Sequence, residues 1–281
     1  MTAASLRFHL ARWASNGLPA PVALRLAERL ADVQYRSSAK DRSAVESNLS
    51  LALGSGAAQH PPLVRDVFRN FGRYLVEFFT MHHAPLPAFH VDGETHLRHA
   101  HAQRHGAIIL TAHLGNWELG ATIIRRMGFP ISAVALPHLD PDTDRLFNSQ
   151  RQRCGVTTIP LGPSATRQCL NVLHAGGLLG LLGDWELTGH SVAVSLFGRT
   201  VSLPRGPASL SLRSGAPILP TFLVREADWR FRLCVEPPLW PTRHASAASV
   251  LQTLIQTYAT GLERYIRQWP SQWMLFRPLA A

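Results

Sequence analysis

The feature that most constrains the fold is a change of rhythm near residue 88. Beyond it, short apolar runs alternate with amphipathic segments. "AIIL" (107–110), "SAVAL" (132–136), "GVTTIP" (155–160) and "LLGLL" (178–182) read as strands, and 116–127, 142–153 and 164–174 read as the helices between them. After "VSLF" (194–197) a helix is expected up to Gly215, followed by the strand-like "PILPTFLVRE". "WRFRLCVEPP" (229–238) alternates with period two and reads as a half-exposed strand, and a helix over 247–268 ends before Pro270. This alternation predicts an α/β core over 86–281.

Residues 1–85 read differently, as a helical N-terminal region. Over 21–35, Val22, Leu26, Leu30 and Val33 form an apolar stripe, with Arg25, Glu28, Arg29 and Asp32 opposite. A second helix covers 41–53 and ends at "GSG" (54–56). The third, 63–81, has an apolar face of Val64, Val67, Phe68, Phe71, Leu75 and Phe78. Its Arg65, Arg69 and Arg73 form a basic stripe at i, i+4, i+8, either a solvated face or a docking stripe for an acidic membrane or carrier protein.

The chain has 281 residues and a net charge of +10, carried almost entirely by arginine. The surplus favours an acidic partner. The arginines are scattered and no nucleic-acid-binding module is present, so nucleic acid is not expected. The three cysteines make neither a disulfide framework nor a zinc spacing, which fits a reducing compartment, and no metal is expected. No apolar run reaches the roughly 18 residues needed to span a bilayer. Arg7, His9 and Arg12 interrupt the first residues, so no signal peptide is expected and membrane contact should be peripheral.

Chemistry concentrates in "TAHLGNWELG" (111–120), at the exit of the strand "AIIL". On a regular helix His113 and Glu118 would be rotated about 140° apart and could not meet. They can meet if His113 lies in a turn before the helix and Glu118 in its first turns. Gly115 allows that turn and Asn116 suits the N-cap. The carboxylate would then hold one imidazole nitrogen and leave the other as a base. Outside this stretch the histidines at 82, 83, 96, 99, 101 and 105 fall in polar, loop-like sequence.

"HLGNWE" resembles the His-x4-Asp/Glu motif of glycerolipid-type acyltransferases. It is most similar to the branch with the lipid A late acyltransferases and the bacterial phosphatidylinositol mannoside acyltransferases. "RSAVESNLSLALG", "VFRNFGRYLVEFF", "NSQRQRCGV", "LLGLLGDWE", "VSLFGRTVSLPRGPASLSLRSGAPILPTFLVRE" and "PSQWMLF" resemble further blocks of that branch, so the likeness covers roughly residues 40–277. It implies a central mixed β-sheet flanked by helices. It also implies transfer of a fatty acyl group from an acyl thioester, on acyl carrier protein or coenzyme A, to a hydroxyl of a membrane glycolipid. No cofactor is needed beyond that co-substrate. The same fold acting on a lysophospholipid or a pathway-tethered acceptor is the alternative.

By this resemblance His113 is the base and Glu118 its orienter. Arg151 is the candidate donor to the oxyanion, unless Arg153 is the true match, with backbone N–H groups near Gly115 and Asn116 as the alternative. Asp184 is a functional acid that positions Arg151 or the acceptor head group. The chain reads Asp-Trp-Glu there where the branch commonly shows Asp-Gln-Asp, so Glu186 stands where the second acid would be. Arg199 and Arg205 suit an anionic head group or a phosphopantetheine. The implied setting is the cytoplasmic face of the inner membrane, with an N-terminal region that binds the interface rather than spanning it.

Overall fold

The structure, a computed structural model, describes residues 2–54, 56, 60–226, 229–242 and 246–279; Ser55 of the expected "GSG" stop lies outside them. Four helices come first: α1 (Ala3–Gly17), α2 (Ala20–Ser37), α3 (Ala39–Leu53) and α4 (Pro61–Thr80). The core then runs β1 (Phe89–Asp92), α5 (Glu94–Ala102), β2 (Ala107–Thr111), α6 (Trp117–Arg126), β3 (Ile131–Ala135), α7 (Pro141–Arg153), β4 (Thr157–Pro160), α8 (Ala165–His174) and β5 (Leu178–Leu182). It continues with β6 (Ser191–Leu196), β7 (Arg199–Pro204), α9 (Gly206–Ser214), β8 (Ile218–Arg225), β9 (Phe231–Val235) and α10 (Ala247–Gln268).

Seven strands form one mixed sheet in the order β1-β9-β8-β2-β5-β3-β4, parallel except where β8 meets β9. Both faces of the sheet are covered. Ile108 and Leu110 of β2 join a core with α8, α9 and α10, whereas Ala107 and Ile109 join one with the end of α4 and with α5, α6 and α7. This two-sided burial is why the central strands read as continuous apolar runs.

Three local expectations are corrected. The histidine-rich stretch around 96–101 is helical, not loop: Leu97 and Ala100 anchor α5 in the core and Arg98 pairs with Glu94 one turn back. "VSLF" belongs to a longer ribbon, in which β6 pairs with β7 across a turn at Phe197 and Gly198, both with positive φ. Strand β9 is not half-exposed; it lies between β1 and β8, so Leu233, Cys234 and Val235 are all buried.

The larger correction concerns α2. Its apolar stripe faces outward: Val22, Leu26, Leu30 and Val33 are all exposed. The buried positions are Ala23 and Ala31, and a Cβ on Gly72 of α4 would stand 2.9 Å from the Ala27 carbonyl oxygen. Small residues thus let the two backbones approach closely. Of the charged residues expected opposite the stripe, Glu28 and Asp32 meet α4, while Arg25 and Arg29 stay exposed. Arg69 donates to Asp32 at 2.8 and 2.9 Å, Arg65 joins it, and Arg73 donates to Glu28 at 2.7 Å. The basic stripe of α4 is therefore part-exposed but taken up by the α2 carboxylates, not a free docking stripe. Hydrogen bonds from Arg65 and then Arg69 hold the Asp32 carboxyl well below the usual range.

Candidate active site

Strand register brings the central pair together. Strands β2 and β5 are parallel neighbours with Thr111 opposite Leu182. His113 and Asp184 each lie two residues beyond those paired ends, so the chain delivers them side by side at the carboxyl edge of the sheet. His113 Nδ1 lies 2.9 Å from Asp184 Oδ1, and the His113 backbone N–H donates to Oδ2 at 3.0 Å. The Trp273 indole donates to the same Oδ2 at 3.0 Å. An ionised carboxylate only accepts, so Nδ1 carries a proton, and in the neutral imidazole the lone pair lies on Nε2. Burial opposes the charge on Asp184, but His113 and the three hydrogen bonds outweigh it and hold the carboxyl below its ordinary range. Asp184 is wholly buried, while the His113 side chain retains 22% exposure.

The turn after His113 is fixed from three sides. Gly115 has φ of +64°, and a Cβ there would come within 1.8 Å of the Leu223 carbonyl oxygen. Its N–H donates to Gln272 O at 2.9 Å, and that of Asn116 to Leu223 O at 2.9 Å. Met274 N–H donates to His113 O at 2.7 Å. Asn116 caps α6, its Oδ1 accepting from Leu119 N–H at 2.9 Å. The amides of Gly115 and Asn116 are thereby occupied and do not await an oxyanion. Among the described residues, the first-turn amides of Trp117 and Glu118 have no such acceptor.

Glu118 sits in the first turn of α6 as expected, but it does not hold the imidazole. Its carboxylate receives Arg151 Nε at 3.0 and 3.2 Å and Nη2 at 2.6 Å. Both side chains are largely buried, and Arg151 also donates to Asn148 Oδ1 at 3.1 Å. Burial disfavours the Arg151 cation, yet Glu118 more than restores it and raises its pKa. The acid on the histidine is Asp184, from the neighbouring strand. Asp184 positions the histidine, not Arg151.

The remaining expected residues divide. Arg153 is exposed in the last turn of α7, so Arg151 is the one that faces the site. Glu186 turns back on Thr188, accepting from its N–H and from its hydroxyl, the latter at 2.7 Å. Arg199 on β7 and Arg205 before α9 are exposed and stand away from the cavity described below.

Two contributors were not foreseen. Trp273 seals Asp184. Glu77 of α4 accepts from Asn116 Nδ2 at 2.7 Å and pairs with Arg225, tying the N-terminal helices to the site turn. Burial pushes the Glu77 carboxyl up despite Arg225 beside it. The available signal was a carboxylate inside the apolar run "LVEFF", where a solvated residue has no reason to be.

A cavity of about 560 Å³ opens beside His113. Trp117, Glu118, Arg151 and Trp185 share its lining near the histidine's polar partners. Ile109, Ile124, Ile131 and Leu233, all buried, line it between sheet and α6. The exposed Leu136, His138 and Lys40 line its outer end. An apolar interior with a few convergent polar groups suits a hydrocarbon chain bearing one reactive end.

An α/β sheet that carries such a histidine at a strand end, over such a cavity, has the make-up of an acyltransferase. Residues 8–279 match the bacterial lipid A biosynthesis acyltransferase family, and the chain belongs to that family. It is 29% identical over 249 residues to a phosphatidylinositol mannoside acyltransferase of Mycobacterium tuberculosis, covering 83% of this chain and 75% of that protein. The corresponding protein of Mycolicibacterium smegmatis is 29% identical over 243 residues, 82% of this chain and 77% of the relative. A lipid A biosynthesis palmitoleoyltransferase of Escherichia coli is 26% identical over 256 residues, 87% of this chain and 82% of its own length.

Proposed function

We propose that this acyltransferase moves a fatty acyl group from an acyl thioester to a hydroxyl of a membrane glycolipid. The observation that carries the reading is His113, its Nδ1 held by Asp184 and its ring on a hydrocarbon-lined cavity. Nε2 takes the proton of the acceptor hydroxyl as its oxygen attacks the thioester carbonyl. Asp184 stabilises the imidazolium that forms. The carbon–sulfur bond then breaks, and the imidazolium returns its proton to the departing thiolate. Arg151 has N–H groups beyond those given to Glu118 and Asn148, and with the first-turn amides of α6 these donate to the oxyanion. Glu118 holds Arg151 for that task.

The donor is acyl carrier protein or acyl coenzyme A, with no further cofactor. The acceptor is a glycolipid such as the relatives' names describe. Among the described residues no helix is long and apolar enough to cross a membrane, in keeping with peripheral attachment. The acidic cytoplasmic face of the inner membrane suits a chain of net charge +10. The test is an assay of the purified protein with acyl carrier protein thioesters and either phosphatidylinositol mannoside or a lipid A precursor, read by mass spectrometry. One added acyl ester on one acceptor is expected, formed far more slowly by His113→Ala. Undiminished transfer by that variant would overturn the reading.

A further inference from the structure

Tyr74 carries a polar group into an aromatic wall and gives it nothing to bind. It lies on α4 with Phe71, Phe78 and Trp117 stacked on it, their ring centroids 5.7, 6.1 and 4.6 Å away. Trp117 in turn stands edge-on to His113, with 5.2 Å between centroids. Tyr74 is only 4% exposed, and it lines the cavity. Among the described residues its hydroxyl has no hydrogen-bond partner.

A buried tyrosine hydroxyl ordinarily finds one. Two other buried tyrosines do: Tyr258 donates to the Thr111 carbonyl oxygen at 2.7 Å, and Tyr265 to Glu236 at 2.6 Å. Stacking does not account for the oxygen of Tyr74. A phenylalanine would fill the same place, as it does at 71 and 78, without bringing a polar atom into an apolar wall.

The surroundings say what the hydroxyl awaits. It is coupled electrostatically to Glu118 and Arg151, which line the same cavity. Burial pushes the phenol well up, and Glu118 adds to this against Arg151, so the O–H keeps its proton as a donor. The Glu118 carboxylate is already taken up by Arg151. A guanidinium only donates, so a ligand group that meets Arg151 and Tyr74 together must accept from both. The acceptor hydroxyl has its proton turned to His113 and its lone pair to the carbonyl carbon. The carbonyl oxygen of the thioester is the group that matches.

We propose that the Tyr74 hydroxyl is a further catalytic donor, which hydrogen-bonds the thioester carbonyl oxygen beside Arg151 and strengthens that bond as the tetrahedral oxyanion forms. This rests on the acyl-transfer reading above and deepens it. No proton changes hands at Tyr74. As the acceptor oxygen adds to the carbonyl carbon, the carbonyl π electrons move onto the oxygen, where the phenol O–H and the Arg151 N–H groups stabilise them. They return when the carbon–sulfur bond breaks. A residue of the N-terminal helices thereby reaches the reacting atoms.

The experiment is steady-state kinetics of the full-length Tyr74→Phe variant beside the wild type and His113→Ala. The donor is an acyl carrier protein thioester and the acceptor phosphatidylinositol mannoside or a lipid A precursor, each substrate varied in turn. Tyr74→Phe should lower kcat by about 10²-fold. Both KM values should stay unchanged, because the bond matters most in the transition state. The melting temperature should equal or exceed that of the wild type, since the ring packing is kept and no hydrogen bond is lost. A wild-type kcat overturns the proposal. So does a raised acceptor KM at unchanged kcat, which would place the hydroxyl on the acceptor. A rate loss accompanied by a lowered melting temperature overturns it too, by making the hydroxyl structural. No transfer by the wild type, or undiminished transfer by His113→Ala, instead removes the acyl-transfer reading, and this inference with it.

Discussion

Two buried carboxylates lie beside the cavity, each paired with one nitrogen base, and they differ in what the partner can do afterwards. Asp184 holds an imidazole, which keeps a second nitrogen and can gain and lose a proton. Glu118 holds a guanidinium, which stays charged throughout. The first pair can take part in proton movement; the second can only fix a charge in place. Burial alone therefore does not mark the reactive carboxylate, because both are buried. The partner marks it.

The largest expected effect falls on the first pair. His113→Ala should lower the rate of acyl transfer by about 10²–10⁴ with the circular dichroism spectrum unchanged. Asp184→Asn should approach that loss, because an amide can also donate to the imidazole and so favour the wrong tautomer. An Asp184→Asn enzyme at near wild-type rate would break the contrast. Glu118→Gln should act first on stability, since it leaves Arg151 as an uncompensated buried cation. A loss of about 3–5 kcal/mol in urea unfolding is expected, partly restored by adding Arg151→Gln. Full stability with a lost rate would move Glu118 into the chemistry.

Acid provides a gentler comparison. Asp184 is held below its ordinary range, so the folded protein resists its protonation more than the unfolded chain does. That stabilisation is complete above the ordinary Asp value of about 3.9 and is lost as pH falls through the lowered folded value. Asp184→Asn should accordingly flatten the stability profile below about pH 4. The smallest change is Asn116→Ala, which removes the cap of α6 that both pairs rely on. It should cost about 1 kcal/mol of stability and lower the rate through the loosened turn.

The α/β core was legible because periodicity reports burial directly. Helix 247–268 is found at Ala247–Gln268, and "LLGLL" is found as β5. Periodicity failed at α2, where the stripe of large apolar side chains is not the buried face. Which face turns inward was decided by Ala23, Ala27, Ala31 and Gly72, small residues that a search for large apolar side chains passes over. At the site, the residues within one stretch could be read, including the cap at Asn116. The partner of His113 could not, because it depends on β5 lying beside β2, a pairing across 71 positions of sequence. Glu118 was the nearer carboxylate in sequence and Asp184 the nearer in space.

The segment after α10 has a bearing on when the enzyme comes into being. Gln272, Trp273 and Met274 bind Gly115, Asp184 and His113 in turn. A growing polypeptide therefore exposes its histidine long before it can hold it correctly. Until residues 272–274 are made and dock, Asp184 lacks its indole lid and the turn at Gly115 lacks a carbonyl. Activity then waits on this segment, and a chain that has made only the sheet and its histidine would acylate nothing.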